Sequence, residues 1–187
     1  MELARSVLGG GVVGVAEIDG LNAGLLILRV AVGATMIAHG YNHIFRGGKI
    51  AGTGGWFESL GMKPGWLHAW LASITELGAG AMLALGLLTP LAGGACAGVM
   101  LVALITNHRK NGFFIFRPGE GYEYVLNLFL ASIALGATGG GQWSLDDAID
   151  FSMTGFDGLY AALAIGIGGT AALLGTFWRP APASPKE

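Results

Sequence analysis

Charge is scarce in this 187-residue chain: 10 Lys and Arg and 12 Asp and Glu amount to 12% of it. A domain folded in water carries roughly 25% charged residues, because its surface faces solvent. Half that supply leaves too little polar surface unless lipid takes the place of water. Cysteine is nearly absent as well. Cys96 stands alone in an apolar run, so no intramolecular disulfide can form, and it reads as a small packing residue. No basic stripe accompanies the net charge of −2, which excludes a nucleic-acid partner from the expectations. From Met1 to Ile18, Glu2 and Arg5 lie around a glycine-rich apolar patch without a basic segment leading to a cleavage site, so no signal peptide is expected. Neither a glycine-rich phosphate loop after a strand nor a nucleophile–base constellation can be read.

What is present is apolar surface and glycine. Hydrophobic residues make up 53% of the chain, and the mean hydropathy is +0.62. The 34 glycines lack the three-residue period of collagen and in water would weaken helices by up to about 1 kcal/mol per site. In a bilayer the helix is enforced, since an unpaired backbone group costs several kcal/mol, and small residues let helix backbones approach closely. The expected fold is therefore an all-α transmembrane bundle. Five spans are predicted: Leu21 to Gly40, Leu67 to Leu88, Leu91 to Thr106, Tyr122 to Ala137 and Gly158 to Trp178. Thr89-Pro90 turns the chain between the second and third, with Pro90 suited to the first turn of a helix. The Pro/Ala-rich tail to Glu187 is expected to be disordered.

Five spans bring the basic segments to one face: Arg46, Lys49 and Lys63, then Arg109, Lys110 and Arg117, then Arg179 and Lys186. The other face receives Asp146, Asp147, Asp150 and Asp157 and no Lys or Arg. The positive-inside rule then predicts the amino terminus outside and the carboxyl terminus in the cytoplasm. Two loops on the basic face are aromatic, Trp56-Phe57 with Trp66 beyond, and Phe113-Phe114 with Phe116. They suit either segments anchored in the headgroup layer or a lid over a cavity.

Charges inside a span cost about 2.5–3.5 kcal/mol each at the helix centre, so those present need a partner or a purpose. Counting from His39, Arg29 lies about 15 Å above the basic face; counting from His68, Glu76 lies about 12 Å above it. Those matched depths predict an Arg29–Glu76 ion pair near the midplane. Nearer the basic face stand His39 and His43, four residues apart, then His108, Glu123 and, one turn deeper, Asn127. Together they sketch a polar column from the surface to the bilayer centre. The pair serves either to fix helix register or to line a pocket or proton path. His39 and His43 have metal-ligand spacing, with His108 and Glu123 within reach, but no cysteine or tight His/Glu motif supports a site, and no metal is expected. Haem ligation would need histidines deeper in the bilayer.

The chain resembles the DoxX family of small bacterial membrane proteins. The likeness rests on Leu28-Arg29-Val30 through Ala38-His39-Gly40, Gly54-Gly-Trp-Phe57-Glu58-Ser-Leu60-Gly61, Glu76-Leu-Gly and Gly86-Leu-Leu-Thr-Pro-Leu91. It continues with Met100 to His108, Asn111-Gly-Phe113-Phe114, Gly121-Tyr-Glu123-Tyr124 and Trp143-Ser-Leu145-Asp146. The resemblance implies a four-helix membrane domain over 21–147, preceded by a segment over 1–20 that the positive-inside rule makes extracytoplasmic. An acidic loop with an additional transmembrane helix over 148–178 and a cytoplasmic tail over 179–187 would follow. It carries over Arg29, His39, Glu76, His108 and Glu123 as site positions. It also implies a bacterial inner-membrane location and a link to quinone or thiol and oxidative-stress redox chemistry, the family being named after a subunit of a thiosulfate:quinone oxidoreductase. A bound quinone and protein partners in a membrane complex are the corresponding expectations. The chain has no residue set to carry electrons, so a flavin, haem or iron–sulfur partner would supply them. Two other classes stay open: a non-catalytic anchor or accessory subunit, and a small-solute transporter, although no inverted repeat is clear.

Overall fold

The computed structural model describes residues 14–180, so most of the amino-terminal segment and the tail from residue 181 lie outside the described residues. The chain forms α1 (Val15–Phe45), α2 (Lys49–Ser59), α3 (Gly65–Leu85), α4 (Thr89–Ala103), α5 (Glu123–Thr138), α6 (Leu145–Ala148), α7 (Gly155–Leu163) and α8 (Gly169–Phe177). A π turn at Leu104–His108 and a 3-10 turn at Arg109–Asn111 prolong α4, and a π turn at Ala164–Gly168 joins α7 to α8 into one rod. The result is an all-α bundle of five antiparallel rods, α1, α3, α4, α5 and α7–α8, with α2 and α6 between them.

Three rods are long and apolar enough to cross a membrane: Val15–Phe45, Thr89–Asn111 and Gly155–Phe177. The 21 residues of α3 reach about 31 Å, the thickness of a hydrocarbon core, but His68 and Glu76 dilute its hydropathy. The 16 residues of α5 reach only about 24 Å. Seven described cations, Arg46, Lys49, Lys63, Arg109, Lys110, Arg117 and Arg179, gather at one end of the bundle, and the four aspartates from Asp146 to Asp157 at the other. We call these the basic and acidic ends.

The first helix differs from its sequence expectation at both ends. It begins at Val15 and runs on to Phe45, so His39 sits inside it and His43 in its last turn. Nothing breaks the helix at Gly40, because neighbouring backbone supports it there: a Cβ at that position would lie 2.9 Å from the Ser73 carbonyl.

Small residues set the packing. Gly33 lies on Gly80 and Ala84, and seven residues later Gly40 lies on Ser73 and Leu77, which fixes the register of α1 against α3. The α7–α8 rod packs on α4 and α5 the same way, with Gly94, Gly98 and Gly136 meeting Ala162, Gly166 and Gly158. Its far end is tied down at the basic end: the Arg179 amide donates to Gly61 O (2.7 Å) and the Trp178 indole to Leu60 O (2.9 Å). The α2 helix lies against the start of α3, where Gly54 touches the Gly65–Trp66 backbone and Phe57 is buried. Met36, Leu83, Cys96 and Leu135 are fully enclosed at the centre.

Candidate functional site

Arg29 and Glu76 do not meet. The Arg29 guanidinium donates from Nη1 to Ala84 O (2.6 Å) and from Nη2 to Trp143 O, and the carboxylate it faces is Asp146. The reason lies in the lengths of the helices. Measured from Phe45 and Gly65, the ends they have, Arg29 stands about 24 Å and Glu76 about 16 Å from the basic end. The antiparallel register set by Gly33 and Gly40 then places Arg29 opposite the outer end of α3.

Asp146, which the sequence places on the acidic face, is 5% exposed and organises that outer end. It accepts from Leu88 N (2.6 Å), Thr89 N (2.9 Å) and Thr89 Oγ1 (2.6 Å). Leu88 has a left-handed backbone (φ 46°), unfavourable for a residue with a side chain, and the carboxylate holds it at the start of α4. A carboxylate there also complements the partial positive charge of the helix N-terminus. Arg29, Asp146 and the Asn22–Gln142 hydrogen bond (2.9 Å) thus form a structural polar cluster at the acidic end.

The second polar cluster surrounds a cavity of about 330 Å³ at the basic end. All four histidines of the chain line it: His39, His43, His68 and His108. Gly40 brings the first two into place, because its missing side chain lets α1 approach α3 where Glu76 projects. His39 Nε2 is 2.9 Å from Tyr124 Oη. His43 Nε2 is 3.3 Å from Glu76 Oε2, close enough for an ion pair but not aligned as a hydrogen bond. Glu76 is 3% exposed, and among the described residues its Oε2 has no hydrogen-bond donor. Most of the remaining wall is apolar, with Val99, Val102, Ala103 and Leu71 joined by Ile165 and Leu173 from the fifth rod. The two π turns flank it, supplying Thr106 and His108 from one and Ile165 from the other. Such turns recur at functional sites because they re-aim side chains.

The other sequence candidates are placed differently. His108 lines the cavity but is occupied: its Nδ1 lies 2.9 Å from Glu120 O. A carbonyl only accepts, so Nδ1 carries the proton, and Nε2 faces the Asn107 amide at 3.3 Å. That bond staples the loop of residues 112–121 to the end of α4. Glu123 lies outside the cavity lining and accepts from Ile115 N (3.2 Å), fixing the same loop. Asn127 is exposed, donating to Glu123 O (2.9 Å) one turn back along its own helix. Of the six sequence candidates, His39, Glu76 and His108 line the cavity, while Arg29, Glu123 and Asn127 do not. Sequence reasoning missed His68 and Tyr124 as lining residues. His68 lies at the start of a span, where an interfacial histidine is unremarkable, and Tyr124 reads as a boundary aromatic. Among the described residues, no three His, Cys, Asp or Glu side chains converge as metal ligands would.

Residues 24–109, which run from α1 to the end of the α4 rod, match the DoxX family model. No curated protein and no solved structure matches the chain. The matched segment contains Arg29, Glu76 and all four cavity histidines, whereas Tyr124, Asp146 and the fifth rod lie beyond it. On the strength of that segment and the apolar five-rod bundle that contains it, the chain is an integral membrane protein whose residues 24–109 form a DoxX family segment.

Proposed function

We propose that this chain is a quinone-handling subunit of a bacterial inner-membrane oxidoreductase, with the quinone headgroup in the cavity at the basic end. The observation that carries the proposal is an apolar chamber with one sharply polar wall, where Glu76, His43, His39 and Tyr124 converge and Glu76 Oε2 lacks a donor. Such a wall suits an amphipathic ring with a polar edge better than a hydrated solute. The proposed headgroup position differs from the midplane site between Arg29 and Glu76 that depth counting suggested.

Conversion of a quinone to its quinol takes up two electrons and two protons. A partner subunit bearing flavin, haem or an iron–sulfur centre supplies the electrons. This chain supplies the proton route: Glu76 and His43 exchange protons with the ligand, and the opening toward the basic end connects them to water. By the positive-inside rule that end faces the cytoplasm, with the amino terminus outside.

Solvent extraction of protein purified in mild detergent, followed by mass spectrometry, tests the proposal. Wild type should carry near-stoichiometric quinone. Glu76→Gln should carry several-fold less, while Leu130→Ala, on the outer face of α5, should match wild type. Quinone at background in the wild type overturns the proposal in favour of a non-catalytic anchor, to be pursued by partner capture.

A further inference from the structure

His68 is buried to 2% exposure at the cavity, and its Nε2 has no hydrogen-bond partner among the described residues. Four buried side-chain polar atoms share that condition, Arg29 Nε, His68 Nε2, Glu76 Oε2 and Ser132 Oγ, and two of the four residues line this cavity. Both stand on α3, eight residues apart, hence on one face and about 12 Å along the axis. Side chains on a helix all lean toward its amino terminus, so the axial spacing of the two residues carries over to their side chains. The imidazole is held in place from two sides, edge-on to Phe177 (5.2 Å between centroids) and tilted against Phe57 (6.3 Å). A ring so braced cannot swing out to find water. Buried polar groups in native proteins are satisfied, and an orphan aimed into a cavity is satisfied by what the cavity holds.

We infer that His68 is the second polar contact of the ligand, so that the cavity binds a ring bearing oxygens on two opposed edges, one at Glu76 and one at His68, in its reduced, hydroxylated form. This rests on the quinone proposal above and deepens it. The preference for the reduced form comes from Glu76 and His68. As the carboxylate facing His43 it only accepts, and a quinol hydroxyl donates to it where a quinone carbonyl cannot. The Lys63 backbone carbonyl holds the imidazole proton on the other ring nitrogen, so His68 Nε2 accepts and, like Glu76, takes a quinol hydroxyl.

Anaerobic calorimetric titration of the detergent-solubilised full chain with a short-chain p-quinol and its matched quinone tests the inference. Variants are first checked for wild-type helicity and a single elution peak. Wild type should bind the quinol at least about tenfold more tightly than the quinone, and Glu76→Gln should bring that ratio toward one. His68→Phe should weaken quinol binding by about tenfold and quinone binding less, and His68→Gln, whose amide oxygen restores an acceptor, should recover most of the loss. A His68→Phe protein that binds like wild type, or a His68→Gln protein as weak as His68→Phe, reduces His68 to a packing residue and overturns its role. Equal affinity of wild type for the two forms overturns the preference for the reduced ligand. No binding of either form by wild type overturns the quinone proposal itself.

Discussion

Asp146→Ala is expected to destabilise the bundle by about 3–5 kcal/mol, because each buried donor left without its acceptor costs about 1–3 kcal/mol. The carboxylate accepts three hydrogen bonds at the Leu88–Thr89 turn and faces the Arg29 guanidinium, which is 2% exposed. Alanine would leave two backbone amides and a hydroxyl without their acceptor and remove the negative charge nearest the buried guanidinium. It would also release Leu88 from its left-handed conformation, so the α3–α4 turn should loosen first. Asp146→Asn keeps one acceptor oxygen and should cost less. Asp147→Ala, one residue on and exposed, should stay within about 0.5 kcal/mol of wild type. Equilibrium unfolding in mixed detergent micelles gives the comparison. If the two aspartates proved equivalent, the acidic-end cluster would be ornamental.

Gly33→Ala is the second large effect, although it adds a single methyl group. Its Cβ would lie 2.4 Å from the Gly80 carbonyl oxygen and 2.8 Å from the Ala84 amide nitrogen. Both are backbone atoms of a helix and cannot rotate away, so α1 must move off α3 as a body. Overpacking of this kind costs about 1–3 kcal/mol. The consequence for the site is larger than for stability: α1 carries His39 and His43, and moving it draws them from Tyr124 and Glu76. Quinone content should therefore fall together with the unfolding midpoint. Gly24→Ala, on the same helix with open space around its Cβ, should be neutral or stabilising by up to about 1 kcal/mol. The same loss from both variants would show that helix propensity, not the close approach, governs α1.

The contrast between those two glycines shows how far the sequence can be read. The supply of charge and the apolar runs marked a helical membrane bundle, and the alternation of basic and acidic loops marked which helix ends share a face. Both follow from chain composition and the thickness of a bilayer, and neither needs to know which helices touch. Gly24 and Gly33 are indistinguishable at that level. Only one of them faces a neighbour.

The site divides along the same line. His39 and His43 are neighbours by helix periodicity, and Glu76 is conspicuous because a charge in a span needs a reason. Pairing Glu76 with Arg29 required depths, and depths required helix ends. The continuation of α1 to Phe45 and the start of α3 at Gly65 shifted the two residues by different amounts. Asp146 falls on the acidic face without a partner, because nothing local shows that one acid of four turns inward to cap α4. His68 carries no signal of a cavity role, and Tyr124 enters only as part of the family motif Gly121-Tyr-Glu123-Tyr124.

The sequence by itself determined the solvent, the helices and the shared ends of the chain, since those depend on local composition and on the free energy of placing polar groups in lipid. Tertiary structure alone decided which charge answers which: His43 for Glu76 and Asp146 for Arg29. It also decided that the fifth rod closes the wall of a cavity whose histidines come from three other helices. The physical reason is register. Two antiparallel helices slide past one another freely in sequence space, and only the close contacts of glycines such as Gly33 and Gly40 fix which residues end up side by side.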